Sequence, residues 1–173
     1  MKKLLIINLL VLAMFGSNAQ IKNINPEIPH YRILKADSTY ITWAALKKKH
    51  PLMIIYFMPD CPHCQHLMGQ IKQNMQIFKD IQIVLITDTR TEYPYLNMLR
   101  DFNKRFELFK YKNIVMGTEY PSYLVNDYYQ LQTTPFVAIY DRTGKMIKYF
   151  DKPVELKEIT AVVKRVSINL VNN

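Results

Sequence analysis

Short apolar runs alternate with amphipathic stretches along most of the chain, and their lengths separate strands from helices. Leu52 to Met58 is an unbroken apolar run entered after Pro51 and left at Pro59. A run that short, bounded by prolines, predicts a strand covered on both faces in a parallel sheet. Ile81 to Ile86 and Phe136 to Tyr140 read as two more strands. Met146 to Phe150 follows the turn Asp141-Arg142-Thr143-Gly144 and predicts an antiparallel partner for the strand before it.

Helical spacing appears between these runs. Over 62–79, Met68, Ile71, Met75 and Phe78 form an apolar stripe, and Cys64, four residues before Met68, falls on it. His63, His66, Gln70 and Gln73 form a polar stripe on the same helix. Residues 91–107 predict a helix with Leu99, Phe102 and Phe106 inward and Pro94 in the first turn, where a missing N–H does no harm. A short helix is expected over 121–131. A last one begins near Pro153, with Ile159, Val162, Val163 and Val166 inward. Tyr31 to Ala36 reads as a short strand. Ser38 reads as the cap of a helix over 39–49, which would end in Lys47-Lys48-Lys49, charges that suit a helix C-terminus. Residues 108–120 follow neither period.

Strands alternating with helices, then a closing hairpin and helix, argue for an α/β sandwich: a central mixed sheet with helices on both faces. Residues 31–173 are expected to form one domain, preceded by an extended lead-in over 20–30 that contains Pro26 and Pro29.

The first 19 residues read differently. Lys2 and Lys3 precede an apolar run from Leu4 to Phe15, and Ser17-Asn18-Ala19 offers small residues where a signal peptidase cuts. The run is too short for a comfortable membrane span. The expectation is a cleaved leader and a periplasmic or secreted protein of 154 residues, a usual size for one core. Without the leader's two lysines, 21 basic against 14 acidic residues leave a charge of +7. The lysines are scattered over polar faces and no nucleic-acid motif accompanies them, so no nucleic-acid partner is expected.

The cysteines carry the sharper information. There are two, Cys61 and Cys64, with Pro62 and His63 between them. A disulfide closing so small a loop adds little stability, so reactivity is the better reason for the pair. Cys61 stands where a buried strand meets a helix N-terminus, and Pro62 suits the first helical position. The free N–H groups of the first turn and the helix dipole then favour a thiolate at Cys61, the form that attacks a disulfide. Cys64, one turn on, is placed to resolve the mixed disulfide. His63 is expected to stabilise the Cys61 thiolate, whereas Asp60 opposes it by its charge. His66 reads as a solvated residue on the polar stripe. Haem attachment would need His at position 65, which is Gln. No second cysteine pair completes a tetrahedral metal site, and no cofactor or metal is expected. Copper(I) held by Cys61, Cys64 and a histidine is the alternative use of the same sulfurs.

With these residues in place, the sequence from about 31 to 171 resembles the thioredoxin superfamily. The likeness rests on Ile54-Ile55-Tyr56-Phe57 leading into Cys61-Pro62-His63-Cys64. It rests also on Thr133-Thr134-Pro135-Phe136 followed by strand, Gly144 turn, strand and helix. The resemblance implies a cis proline at Pro135 beside the cysteines and a substrate backbone bound at Thr134. Seventy residues separate Cys64 from Pro135. That interval looks most like the exported TlpA/ResA-like branch, with its inserted strand and helix before the cis proline. The activity implied is thiol–disulfide exchange with cysteine-bearing protein substrates, reset by a membrane or exported redox partner. The chain departs from the pattern at Asp60, usually Trp, and at Ile55, acidic in several relatives. Asp88 is only a weak substitute for that missing carboxylate. Cys-Pro-His-Cys matches the DsbA-type oxidases while the scaffold resembles reductases, which leaves direction open with a lean to reduction.

Overall fold

The computed structural model describes residues 24–168; the expected leader lies outside them. Seven strands are present among these residues: β1 (Arg32–Lys35), β2 (Tyr40–Thr42), β3 (Leu52–Tyr56), β4 (Gln82–Thr87), β5 (Ile114–Thr118), β6 (Phe136–Tyr140) and β7 (Met146–Phe150). They form one sheet in the order β2-β1-β5-β4-β3-β6-β7. β3, β4 and β5 run parallel, and β1, β6 and β7 join antiparallel. The helices are α1 (Pro62–Gln73), α2 (Met75–Phe78), α3 (Tyr95–Phe106), α4 (Leu124–Tyr129) and α5 (Leu156–Ile168).

Residue parity along the strands splits the core in two. Met53, Ile55, Phe57, Ile83, Leu85, Val137 and Ile139 face α1, α3 and α5. Leu52, Ile54, Tyr56, Val84, Ile86 and Phe136 face the other way, under α4, Tyr31 and the lead-in. Every residue of β3 and β6 is buried, as their unbroken apolar runs demand. This is the mixed α/β sandwich expected from the pattern, and α3 with β5 supplies the inserted segment before Pro135.

Several boundaries moved. The helix expected over 39–49 is absent: Tyr40–Thr42 is an edge strand and Trp43–Ala45 a single 3-10 turn. Ser38 caps nothing and sits at φ 65° in the β1–β2 turn. Asp37 builds that turn by accepting from the Thr39 N–H at 3.0 Å and the Thr39 hydroxyl at 2.6 Å. Tyr40, strapped beneath the Arg32 guanidinium at 3.6 Å, pairs across to Leu34. The helix expected over 62–79 breaks at Asn74, whose side chain donates to the Gln70 carbonyl. The third helix begins at Tyr95 rather than 91, after a cis Tyr93-Pro94 bond. Helix 121–131 contracts to Leu124–Tyr129. Within the undecided 108–120 lies β5, whose Gly117 faces β1 so closely that a Cβ there would sit 2.8 Å from the Leu34 carbonyl oxygen.

Candidate active site

β3 ends at Tyr56, and the chain passes through Met58, Pro59 and Asp60 before α1 begins. Cys61 is the N-cap of α1, with extended backbone (φ −71°, ψ 119°), and Pro62 opens the helix. The Cys61 N–H donates to the Met58 carbonyl at 3.2 Å, and the Cys61 carbonyl accepts from Gln65 at 3.0 Å. Gln65 fixes the approach from both sides: its amide donates to the Pro59 carbonyl at 2.8 Å, and its oxygen accepts from Arg105 of α3 at 2.8 Å. Nothing in the one-dimensional pattern marks Gln65, because its partners come from a loop and a distant helix.

Both thiols are free, Cys61 half-buried and Cys64 buried at 3 % exposure. Their environments drive them apart. Partial burial works against ionising Cys61, but hydrogen bonds from the Cys64 N–H and thiol, the Thr134 side chain and the His63 N–H outweigh it. Its pKa is held below the ordinary thiol value. Burial pushes Cys64 up to about 12, and the neighbouring Cys61 sulfur adds to that shift.

Pro135 is cis, as the resemblance implied, and buried at the start of β6. It brings Thr134 against the cysteines: the Cys61 thiol donates to the Thr134 carbonyl at 3.7 Å. A cavity of about 300 Å³ is lined by the flanking Thr133 and Phe136 together with Gln130, Leu131, Asp151 and Lys152. His63 and His66 are exposed on α1, and what position 63 brings to Cys61 here is its backbone N–H. Asp60 is exposed, and its charge bears on Asp88.

Ile55 is buried in the same apolar cluster as Cys64 and brings no carboxylate to it. Asp88, one residue past β4, is pushed above the usual carboxylate range by burial and then by the charge of Asp60. Its Oδ1 is buried without a hydrogen-bond partner. Asp88 falls on the parity of Ile86, on the face away from α1, and its charge bears on Tyr56 and Glu119. Glu119, 2 % exposed, was not singled out in the sequence. It accepts from the Tyr56 hydroxyl at 2.8 Å and from the Val125 and Asn126 N–H groups at 2.6 and 3.0 Å, tying α4 to the end of β3. An acidic residue five positions before an apolar helix start was the one available signal. Among the described residues, no three His, Cys, Asp or Glu side chains gather in a metal-holding group.

The model of the thioredoxin-like domain family matches residues 41–164. No curated protein matches the sequence. Among solved structures, the chain is similar to a secreted disulfide oxidoreductase of Mycobacterium tuberculosis described as homologous to Escherichia coli DsbE. The TM-score is 0.64 at 16 % identity, over 79 % of this chain and 96 % of that one. It is similar also to the C-terminal domain of a proposed thiol-disulfide oxidoreductase from Bacteroides thetaiotaomicron, with a TM-score of 0.67 at 15 % identity, over 86 % and 98 %. A peroxiredoxin-like protein from Aquifex aeolicus matches with a TM-score of 0.63 at 15 % identity, over 83 % and 86 %. At such identities these likenesses speak for the fold. With a family model spanning most of the chain, an N-capping cysteine, its partner one turn on and a cis proline opposite, the protein belongs to the thioredoxin-like domain family.

Proposed function

We propose that this protein is a thiol–disulfide oxidoreductase acting on cysteine-bearing proteins. The observation that carries the reading is the opposed ionisation of two free thiols one helical turn apart: Cys61 held low, Cys64 pushed to about 12. A nucleophile must be ionised before substrate arrives, while a resolving thiol must stay protonated until a mixed disulfide has formed.

In the reducing direction, the Cys61 thiolate attacks one sulfur of a substrate disulfide. The substrate S–S bond breaks, the other substrate sulfur leaves as a thiolate and takes a proton, and a Cys61–substrate disulfide forms. Cys64 then gives up its proton and attacks Cys61 Sγ, releasing the second substrate sulfur. Two electrons have passed to the substrate, and Cys61 and Cys64 are left as a disulfide. The oxidising direction is the same sequence reversed. Reduction is the direction we assign, on the scaffold's resemblance to exported reductases. A protonated His63 imidazole would favour the thiolate further, and Asp60 would oppose it. Thr134, in contact with the Cys61 sulfur, is the residue we assign to the substrate backbone. The leader pattern over 1–19 supports action in the periplasm or outside the cell, where an exported or membrane-bound partner would reset the pair.

Insulin reduction tests the reading. Cys61→Ser is expected to abolish it, and Cys64→Ser to accumulate a mixed disulfide. Full turnover by Cys61→Ser would sink the proposal. Titration of the reduced protein with Cu(I) addresses the alternative use of the sulfurs: tight one-to-one binding with no exchange activity would reverse the assignment.

A further inference from the structure

At the entry ends of β4 and β5 lies a cavity of about 260 Å³ that thiol chemistry does not use. β3, β4 and β5 run parallel and Cys61 follows the exit of β3, so this cavity sits at the opposite end of the sheet. The length of β3 alone puts roughly 15 Å between the two ends. Tyr31 and Val84, each 2 % exposed, form its floor, with Ile41, Leu46 and Val115 partly buried around them. Among the described residues no α-helix lines it; the 3-10 turn Trp43–Ala45 and the loop after it are its cover, through Ala45, Leu46, Lys47 and His50.

The walls are braced without a ligand. The Gln82 side-chain oxygen accepts from the Lys47 N–H at 2.6 Å, and its amide donates to the Lys47 carbonyl at 3.0 Å. The Asn113 amide donates to the Phe78 and Ile81 carbonyls, both at 2.9 Å. A concave, apolar and preformed space with a few polar groups at its mouth has the make-up of a small-molecule site.

The mouth is basic. Lys47, Lys79 and Lys112 come from three separate segments, all are exposed, and among the described residues none is in an ion pair. Asp80 is the one acidic residue among those lining the cavity. The backbone donors nearby are already engaged: the Gln82 N–H by the Pro51 carbonyl, the Ile83 N–H by Asn113 and the Ile114 N–H by Tyr111. A phosphate calls for a cradle of such donors. A single carboxylate needs only the ammonium groups.

We propose that this cavity binds a small amphipathic carboxylate, a single-chain aliphatic acid whose hydrocarbon lies on Tyr31 and Val84 and whose charge meets the three lysines. Size sets the chain length. A water occupies about 30 Å³ and a methylene about as much, so the space holds roughly eight carbons. The site lies apart from the dithiol and does not depend on its chemistry.

The test is calorimetric titration of the protein with butanoate, hexanoate, octanoate and dodecanoate, below micelle-forming concentrations, and with 1-octanol. Trp43, the chain's one tryptophan, stands two residues before Ala45 and supplies a fluorescence signal as a second readout. One-to-one binding is expected, tightening roughly fourfold per methylene as far as octanoate and then levelling off. Octanol should bind roughly fivefold more weakly than octanoate. Lys79→Gln with Lys112→Gln should shrink that difference by weakening octanoate alone. Val115→Phe, which fills the cavity, should abolish binding by both, read only where circular dichroism and the thermal midpoint show a folded variant; the exposed lysine pair carries the test if it does not fold. Affinity that climbs as steeply from octanoate to dodecanoate, as adsorption to the surface would give, overturns the proposal. So does equal wild-type affinity for octanoate and octanol, the lack of saturable binding, or unchanged binding in folded Val115→Phe. Octanoate that binds only by dissociating a dimer, seen in sedimentation velocity, gives the cavity to a second copy of the chain and overturns it as well.

Discussion

The two thiols should differ in reactivity by orders of magnitude, and the structure sets the scale. Burial holds Cys64 at about 12 where an ordinary thiol sits at 9.0. A thiol titrating three pH units higher is ionised roughly a thousandfold less at pH 7, since only the thiolate reacts. Cys61 departs in the other direction, so the ratio between them exceeds that factor, and the 3 % exposure of Cys64 widens it further by excluding reagent. The perturbation is a limiting amount of iodoacetamide added to the reduced protein, with peptide mass mapping of the labelled cysteine between pH 4 and 9. Cys61 should carry essentially all the label, and its rate should rise through a midpoint below the ordinary thiol value. Cys64 should label only after denaturation. Comparable labelling of the two in the folded protein, or a Cys61 midpoint at or above that of a free thiol, would refute the reasoning. It would mean that the helix N-terminus does not hold Cys61 ionised.

Other expectations follow from groups around the site. Asp88→Asn should stabilise the protein at neutral pH, by denaturant titration, because it removes a carboxylate whose burial opposes its charge. The sign is fixed: the folded state holds this proton more tightly than the unfolded one, so the wild type loses stability as pH rises from about 3.8 through the raised value. The gain from Asn should therefore vanish below pH 3.8. An equal gain at pH 3 and pH 7 would refute it. Glu119→Ala should cost about 2–4 kcal/mol in chemical denaturation, since it leaves the Tyr56 hydroxyl and two helix N–H groups without their acceptor. Gly117→Ala should cost about 1–3 kcal/mol by forcing β1 away from β5, and an unchanged midpoint would show that the edge yields freely.

How much was legible in advance varies with where each residue's partners lie. β3 and β6 could be read directly because a strand buried on both faces needs an unbroken apolar run, and few other structures do. The break at Asn74 and the late start of α3 could not, since both depend on a cap or a turn whose cost is small beside the packing around it. The missing helix over 39–49 is the clearest case. Its residues have enough polar periodicity for a helix, but Tyr40, Ile41 and Thr42 gain more by pairing with Leu34, Ile33 and Arg32. That gain exists only once β1 is already fixed on β5. Gly117 is the same lesson at one residue: its need to be glycine comes from a carbonyl more than eighty positions earlier in the chain.

The sequence by itself determined the chemistry of the site: two sulfurs in a four-residue motif, a proline opening the helix behind the first, and a Thr-Pro pair ahead of a later strand. These are local facts, because strand end, helix start and cysteine spacing are all set by neighbours along the chain. Only the tertiary structure decided how the two thiols are tuned and what surrounds them. Burial and local hydrogen bonds separate their ionisation, and a cis proline turns Thr134 onto Cys61. Desolvation and long-range hydrogen bonds are properties of a packed interior, and they come into being only when segments far apart in sequence close over one another.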